Sequence, residues 1–247
     1  MSKSINKGRK KLIISLASIL SVVLILILAC ALYISDYYRA DADAISAFSS
    51  GYDLKEEARD GYVAFGDTSA EVGFVFYPGG KVEYTAYVPL MRAIAEEGVF
   101  CALVNMPANL AILDINAADK ILDEYSDIKE WYIGGHSLGG TAAASYLSAH
   151  SDKLSGLVLL ASYPSSDISG ACRRALSVYG EHDGVLNREK YEGAGEYLPD
   201  GFTEIVIEGA NHAGFGMYGE QQGDGTATIS QSEQILLTAE YVTQFVK

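Results

Sequence analysis

The stretch Tyr132–Tyr146, YIGGHSLGGTAAASY, contains four glycines and places one serine between two glycine pairs. The spacing Gly135-x-Ser137-x-Gly139 is common enough by chance to prove little by itself. Its context is more specific, because a strand-forming run, EWYIG, precedes it and a helix-forming run, TAAASYLSAH, follows it. The sequence therefore predicts a sharp turn from strand to helix, with Ser137 at the corner.

Such a corner forces its central residue into strained backbone geometry, and the residues two positions away must lack side chains. Gly135 and Gly139 satisfy this requirement. The corner lifts the Ser137 hydroxyl clear of the sheet and directs the backbone amide of Leu138 toward whatever bonds to the serine oxygen. The alternative to a catalytic serine is a tight structural turn that only requires small residues. The flanking strand and helix favour a nucleophilic serine.

The rest of the chain alternates between strand-like and helix-like segments. Seven apolar runs rich in β-branched and aromatic residues predict strands at 61–65, 72–77, 99–105, 130–135, 156–163, 175–180 and 203–209. Helical spacing is found at 84–97, 117–125, 141–150, 188–198 and 230–247. This alternation predicts an α/β fold, a mostly parallel central sheet with helices on both faces.

A reactive serine needs a base, and the base needs an orienting carboxylate. Functional residues of parallel sheets lie in loops after the carboxyl ends of strands. His212 follows the last apolar run, in EGANHAGFG, and Asp183 follows the preceding run, in GEHDGV. Asp167, one loop earlier, is the alternative acid. The other histidines, His136, His150 and His182, are less suited to reach the serine.

An oxyanion site requires a second amide besides that of Leu138. The turn FYPGGKV after the second apolar run offers the backbone N–H of Gly80 or of Lys81. Residues that follow strands also suggest a substrate pocket, with packing as the equal alternative. These pocket candidates are Tyr77, Asn105, Met106 and, in the glycine-rich tail after His212, Phe215.

From about residue 61 onward the chain resembles an α/β-hydrolase, with GHSLGG as the nucleophile turn, GEHDGV as the acid loop and GANHAGF as the base loop. YPGGKVEYTAYVPL and NMPANLAIL resemble the alpha/beta hydrolase fold-5 group, which is akin to dienelactone-hydrolase-like proteins. The resemblance implies Ser137 as nucleophile, His212 as general base and acid, and Asp183 as orienting carboxylate. It also implies an oxyanion hole of backbone amides, although Pro78-Gly79 replaces the His-Gly of many related lipases and esterases.

These features predict a serine hydrolase that cleaves carboxylic esters through an acyl-enzyme. Only residues 164–174 separate two core strands, which leaves no room for a large lid and favours a small ester or acylated substrate. No motif for a metal or a cofactor is present. An acyltransferase or thioesterase, a serine peptidase and a catalytically silent surface binding protein remain alternatives.

The N-terminus predicts a membrane segment. Residues 1–11 carry five basic residues and no acid, and the uncharged run Leu12–Ile34 is long enough to span a bilayer as a signal anchor. Cleavage near Ala29-Cys30-Ala31, or lipid attachment at Cys30, would also place the following domain outside. Residues 35–60 suit a stalk or peripheral segment, and 61–247 form the predicted catalytic domain.

The formal net charge is −14, and beyond residue 11 the remaining 13 basic and 32 acidic residues give −19. Such a domain repels nucleic acid. Beyond the apolar segment lie only Cys101 and Cys172, so there is no disulfide framework. Cys101 is predicted to be a buried packing residue, while a bridge between the two cysteines and the oligomeric state stay open.

Overall fold

The computed structural model describes residues 2–50 and 54–247, which form two compact units, one up to residue 37 and one from residue 38 onward. The first unit is one helix, α1 (Ser2–Ser35). Its portion Lys11–Ser35 has 25 residues and is long and apolar enough to cross a membrane. This portion contains the predicted run Leu12–Ile34.

The second unit is built on one eight-stranded sheet. Its strands are β1 (Glu56–Arg59), β2 (Tyr62–Phe65), β3 (Val72–Tyr77), β4 (Phe100–Val104), β5 (Glu130–His136), β6 (Gly156–Leu160), β7 (Ala175–Gly180) and β8 (Thr203–Ile207). The order across the sheet is β1-β2-β4-β3-β5-β6-β7-β8. The pairs β1–β2 and β2–β4 are antiparallel and all others are parallel. The predicted mostly parallel sheet is confirmed.

Among the strands of the described residues, β1 is the one that the apolar pattern does not predict. Its sequence, EEAR, is charged at three of four positions and largely exposed, as suits an edge strand. It forms a hairpin with β2 through Asp60-Gly61, where Gly61 has a φ of +87°. The Asp-Gly pair is a hairpin signal, but the charged run before it masks the strand.

Helices cover both faces of the sheet. They are α2 (Ala42–Ser49), α3 (Val88–Glu96), α4 (Ala118–Glu124), α5 (Leu138–Ala149), α6 (Arg188–Gly193) and α7 (Gln231–Val246), with 3₁₀ turns at Tyr84–Tyr87, Pro107–Asn109, Ala111–Leu113, Ala194–Tyr197 and Ala213–Phe215. Side chains of β3 alternate between two buried clusters. Phe74 and Phe76 join one cluster with α3 and α7, whereas Val75 and Tyr77 join the other with α4 and α5.

Residues from Tyr38 onward pack on this sheet unit. Tyr38 forms a parallel bridge with Val82, its N–H donates to the carbonyl of Lys81 at 2.8 Å, and its carbonyl accepts from the N–H of Glu83 at 2.9 Å. On α2, Ile45 is half-buried against the first cluster. The segment predicted as a stalk or peripheral element thus includes a helix that contributes to packing, and its residues 51–53 lie outside the described residues.

The structure also bears on two further predictions, which concern the lid and the cysteines. In the stretch 161–174, all of it described, no helix or strand stands between β6 and β7, so no large lid covers this edge of the sheet. Cys30, Cys101 and Cys172 are all free thiols. Cys101 is fully buried among core side chains, as expected for a packing residue, and burial raises the pKa of its thiol.

Candidate active site

Ser137 occupies the corner between β5 and α5. Its φ of 51° and ψ of −122° lie in a region that non-glycine residues rarely adopt. Its N–H donates to the carbonyl of Leu160 on β6 at 2.9 Å, and its own carbonyl accepts from the Ser162 hydroxyl at 2.6 Å. The bonds to β6 and its following loop hold this backbone in its strained conformation.

The glycines around the corner are required by close backbone contacts. A Cβ on Gly135 would lie 2.6 Å from the carbonyl oxygen of Tyr77, and a Cβ on Gly139 would overlap the carbonyl oxygens of Tyr77 and Pro78. The turn therefore lies directly against the segment that follows β3. This contact brings the Gly79-Gly80 turn next to the first residue of α5.

Asp183 and His212 lie together beyond the ends of β7 and β8. Nδ1 of His212 is 2.9 Å from Oδ2 of Asp183, and both side chains are almost fully buried. The other oxygen of Asp183 accepts from the backbone N–H groups of Val185 and Leu186, at 2.9 and 2.8 Å. Because a carboxylate oxygen accepts hydrogen bonds, the contact with Oδ2 places the proton of the imidazole on Nδ1.

The other ring nitrogen of His212, Nε2, is therefore the one with a free lone pair. It is buried and has no hydrogen-bond partner among the residues that the structure describes. His212 and Ser137 line one cavity of about 240 Å³ at the carboxyl edge of the sheet. The remaining lining residues are Leu138, Thr141, Ala161, Ser162, Tyr163, Val185, Leu186 and Asn187.

The alternative acid, Asp167, lies elsewhere. Its carboxylate accepts from the backbone N–H and the hydroxyl of Ser169, at 2.9 and 2.7 Å, and these bonds lower its pKa. It is an exposed residue that closes a local turn. Of the two acids predicted from the sequence, Asp183 is the one that the fold brings to His212.

His136, the neighbour of Ser137, is buried and bonded away from the cavity. Its Nδ1 lies 2.8 Å from the hydroxyl of Tyr87, which also accepts from the N–H of Gly79 at 3.1 Å. Burial, together with the imidazole of His212 at a ring-centre distance of 4.5 Å, holds the pKa of His136 well below its ordinary value of 6.5. His136 is thus a neutral residue that links the corner to the Gly79 turn.

Three backbone amides near Ser137 were predicted as candidate oxyanion donors, those of Leu138, Gly80 and Lys81. Leu138 is the first residue of α5, where the N–H has no partner within the helix. Gly80 lies against Leu138, since a Cβ on Gly80 would be 2.8 Å from Leu138 Cδ2. The N–H of Lys81 instead donates to the carbonyl of Asn109 at 2.8 Å, which favours Gly80 over Lys81 as the second donor.

The four predicted pocket residues are not among those that line the cavity. Tyr77, Met106 and Phe215 are buried core residues. The Tyr77 hydroxyl donates to the carbonyl of Ile115 and accepts from the N–H of Ala118, so it anchors the start of α4. Asn105 is exposed. Position after a strand predicts proximity to the edge of the sheet, but it does not determine which way a side chain points.

The sequence pattern did not identify three side chains that support this site. Ser162 bonds the Ser137 carbonyl, Tyr87 bonds the Gly79 amide, and Asp224 bonds backbone amides around His212. Each supports the backbone of another residue, and Ser162 also lines the cavity. Such roles have no spacing signature in the sequence.

Comparison with known proteins identifies the family and the fold of this chain. A family described as the alpha/beta hydrolase family matches residues 73–236, about two thirds of the chain. The matched span begins in β3 and ends within α7. A search of curated proteins finds no match to the chain.

Solved structures share the fold at low sequence identity. Dienelactone hydrolase from Anabaena variabilis superposes with a TM-score of 0.58 at 15% identity, covering 79% of this chain and all of its own. An esterase from Pyrobaculum calidifontis gives 0.59 at 15% identity, covering 83% of this chain and 91% of its own. Carboxyl esterase 2 from the fungus Tuber melanosporum gives 0.56 at 14% identity, covering 86% and 92%. At such identities the likeness shows a common fold.

Proposed function

Because the chain belongs to the alpha/beta hydrolase family, we propose that it is a serine hydrolase that cleaves carboxylic esters through an acyl-enzyme. One observation carries the proposal. His212 is bonded at Nδ1 to Asp183 at 2.9 Å, and it lines the same cavity as Ser137 at the strained corner. The relatives with esterase names agree with ester substrates, although each name describes that protein alone.

In the proposed reaction, Ser137 Oγ attacks the ester carbonyl carbon while Nε2 of His212 takes the hydroxyl proton. Asp183 stabilises the imidazolium that forms. Collapse of the tetrahedral intermediate breaks the bond to the leaving oxygen, which receives the proton from Nε2. Water then attacks the acyl-serine by the same route and releases the acid. A hydrogen bond between Ser137 Oγ and His212 Nε2 is expected to form when substrate enters, because catalytic contacts commonly close only in the substrate complex.

The developing negative charge on the carbonyl oxygen needs donors that are fixed beforehand. We propose the backbone N–H groups of Leu138 and Gly80. The N–H of Leu138 also lies at the N-terminus of the 12-residue helix α5, where the helix dipole favours an anion. Gly79, whose N–H is bonded to Tyr87, keeps the second amide in place.

The cavity favours a small, uncharged acyl group. Its volume of about 240 Å³ is modest, and apart from the imidazole its lining has no ionisable side chain other than the Tyr163 phenol. Leu138, Val185 and Leu186 provide apolar surface, whereas Thr141 and Asn187 provide polar atoms. A charged acyl group would find no counter-ion in this lining, so its desolvation would be uncompensated.

We also propose that α1 anchors the enzyme in a membrane with the hydrolase unit on the outer face. Its apolar portion is 25 residues long, and the five basic residues at 1–11 favour retention of the N-terminus on the cytoplasmic side. The topology is testable with a protease added to intact cells, which should remove the hydrolase unit and spare the N-terminus.

The test of the enzymatic proposal uses the full chain in detergent micelles with p-nitrophenyl acetate and butyrate. Ser137→Ala and His212→Ala should each lower kcat/KM at least about a thousandfold. The matched controls are Ser166→Ala, in an exposed loop, and His150→Ala, at the end of α5, which should retain activity.

Labelling with a fluorophosphonate probe separates the alternatives. Wild type should be labelled at Ser137, and the label should be absent from Ser137→Ala. The proposal would be contradicted if wild type and both site variants hydrolysed the esters at the same rate and the probe did not label wild type. That result would favour a binding protein. Faster acyl transfer to an added alcohol than to water would point to an acyltransferase.

A further inference from the structure

Asp224 lies in the glycine-rich segment after His212. Its carboxylate accepts backbone N–H bonds from Gly184, His212, Ala213 and Gly225. We propose that Asp224 is a positioning residue that fixes the loop of Asp183 against the loop of His212. This inference rests on the proposed function, because the two loops carry the proposed acid and base.

The bonds are divided between the two oxygens of one rigid, planar group. Oδ1 accepts from Gly184 at 3.1 Å and from His212 at 3.2 Å, whereas Oδ2 accepts from Ala213 at 2.8 Å. Gly184 directly follows Asp183. A single side chain thus bonds to both of the backbones that present the proposed acid and the proposed base.

Close packing reinforces this link. A Cβ on Gly184 would lie 2.6 Å from the carbonyl oxygen of Gly223, and a Cβ on Gly225 would overlap the carbonyl oxygen of His182. The side chain of Asn211 also donates to the carbonyl of Gly225 at 2.8 Å. The segment 223–225 is therefore seated directly on the acid loop and bonded to the base loop.

The proposed acid and base need such a link because each lies beyond the end of its strand. β7 ends at Gly180 and β8 at Ile207, and the backbone bond between the two loops that lies nearest to Asp183 runs from the N–H of His182 to the carbonyl of Ala210 at 2.8 Å. In the described part of the chain, Asp183 and His212 themselves have no backbone hydrogen bond to the other loop. A displacement of about 1 Å in a reacting group lowers rates by about a hundredfold in enzymes. The bond of 2.9 Å between Nδ1 and Oδ2 is sensitive to a shift of either loop.

The experiment compares Asp224→Ala and Asp224→Asn with wild type, using the full chain in detergent micelles. Fluorophosphonate titration counts the reactive sites, so that kcat is expressed per titrated site. Asp224→Ala should lower this kcat by about 10- to 100-fold with less than about a twofold change in KM. The kcat of Asp224→Asn should lie between those of wild type and Asp224→Ala, because the amide oxygen of asparagine still accepts hydrogen bonds. Glu220→Ala, an exposed acid of the same segment, is the control and should behave as wild type.

A merely structural role would reduce the number of titrated sites and leave kcat per site unchanged, which would overturn the inference. If Asp224→Ala does not fold, the same comparison with Asp224→Asn decides. If wild type hydrolyses no ester, the proposed function fails on its own, and NMR of chain labelled with ¹⁵N-histidine tests the positioning role separately. The Nδ1–H signal of His212 should then be sharp in wild type and Glu220→Ala and broadened in Asp224→Ala; identical signals in all three would overturn the inference.

Discussion

The hydroxyl of Tyr87 lies 2.8 Å from Nδ1 of His136, and both residues are fully or almost fully buried. The same hydroxyl accepts from the N–H of Gly79, so one side chain joins the residue before Ser137 to the turn that carries Gly80. The proposed nucleophile and the proposed oxyanion donor are thus held by one hydrogen-bonded group. The first prediction concerns this group.

Tyr87→Phe should lower the free energy of unfolding by about 1–3 kcal/mol, because the Gly79 N–H is left buried without an acceptor. It should also lower kcat/KM about tenfold, since Gly80 loses its neighbour's support. Tyr241→Phe, which removes a hydroxyl from a half-buried ring on α7, is the control and should change neither quantity appreciably. Urea unfolding and ester hydrolysis measure the two effects; an unchanged rate in Tyr87→Phe would refute the link to Gly80.

Gly135→Ala should destabilise the fold by at least about 3 kcal/mol, because the new Cβ would lie 2.6 Å from the backbone oxygen of Tyr77. Gly195→Ala places a Cβ in open space and should change stability by less than about 1 kcal/mol. Thermal unfolding of the two variants side by side provides the measurement. Similar melting temperatures of the two variants would show that the space around Gly135 can accommodate a Cβ.

Ser137→Gly should be about 1 kcal/mol more stable than Ser137→Ala, although both lack the hydroxyl and both should be inactive. The φ of 51° is strained for alanine and permitted for glycine. Chemical denaturation of the two variants tests this difference. If alanine were the more stable, the corner would not be under backbone strain.

Stability should fall between pH 6.5 and pH 5 partly because of His136. Its pKa is lowered in the folded chain, chiefly by burial. Below pH 6.5 the unfolded chain therefore binds a proton that the folded chain excludes, and stability is lost as the pH falls. His136→Gln should lose less stability between pH 6.5 and pH 5 in urea titrations at both pH values; an equal loss in wild type and the variant would indicate that His136 takes up its proton in the folded state.

A chain that starts at residue 36 should be more stable and more active than one that starts at residue 54. The shorter chain loses the Tyr38 bridge to Val82 and the bond from the Asp41 N–H to the carbonyl of Met217. Backbone bonds of this kind contribute about 1 kcal/mol each, and the packing of α2 adds to them. Thermal unfolding and kcat of both chains test this; indistinguishable values would show that residues 38–53 are dispensable to the hydrolase unit.

The sequence alone determined the parallel strands, the helices between them and the corner at Ser137, because local patterns encode these features. Apolar runs mark strands that are buried on both faces, and the spacing of Gly135 and Gly139 reports a turn without space for side chains. Strand β1 is hidden from the same pattern because three of its four residues are charged. Chain order also placed Ser137, Asp183 and His212 after their strands.

Only the tertiary structure decided which of these residues meet and what holds them. It brought Asp183 rather than Asp167 to His212, engaged the amide of Lys81 elsewhere, and buried Tyr77, Met106 and Phe215 in the core. It also bonded Asp224 to Gly184 in one loop and to His212 in another, although these two residues are 28 positions apart in the sequence. These outcomes depend on side-chain direction and on contacts between distant loops. A strand's periodicity reports the face that a residue occupies, whereas a loop has no period, so its contacts follow from the folded chain.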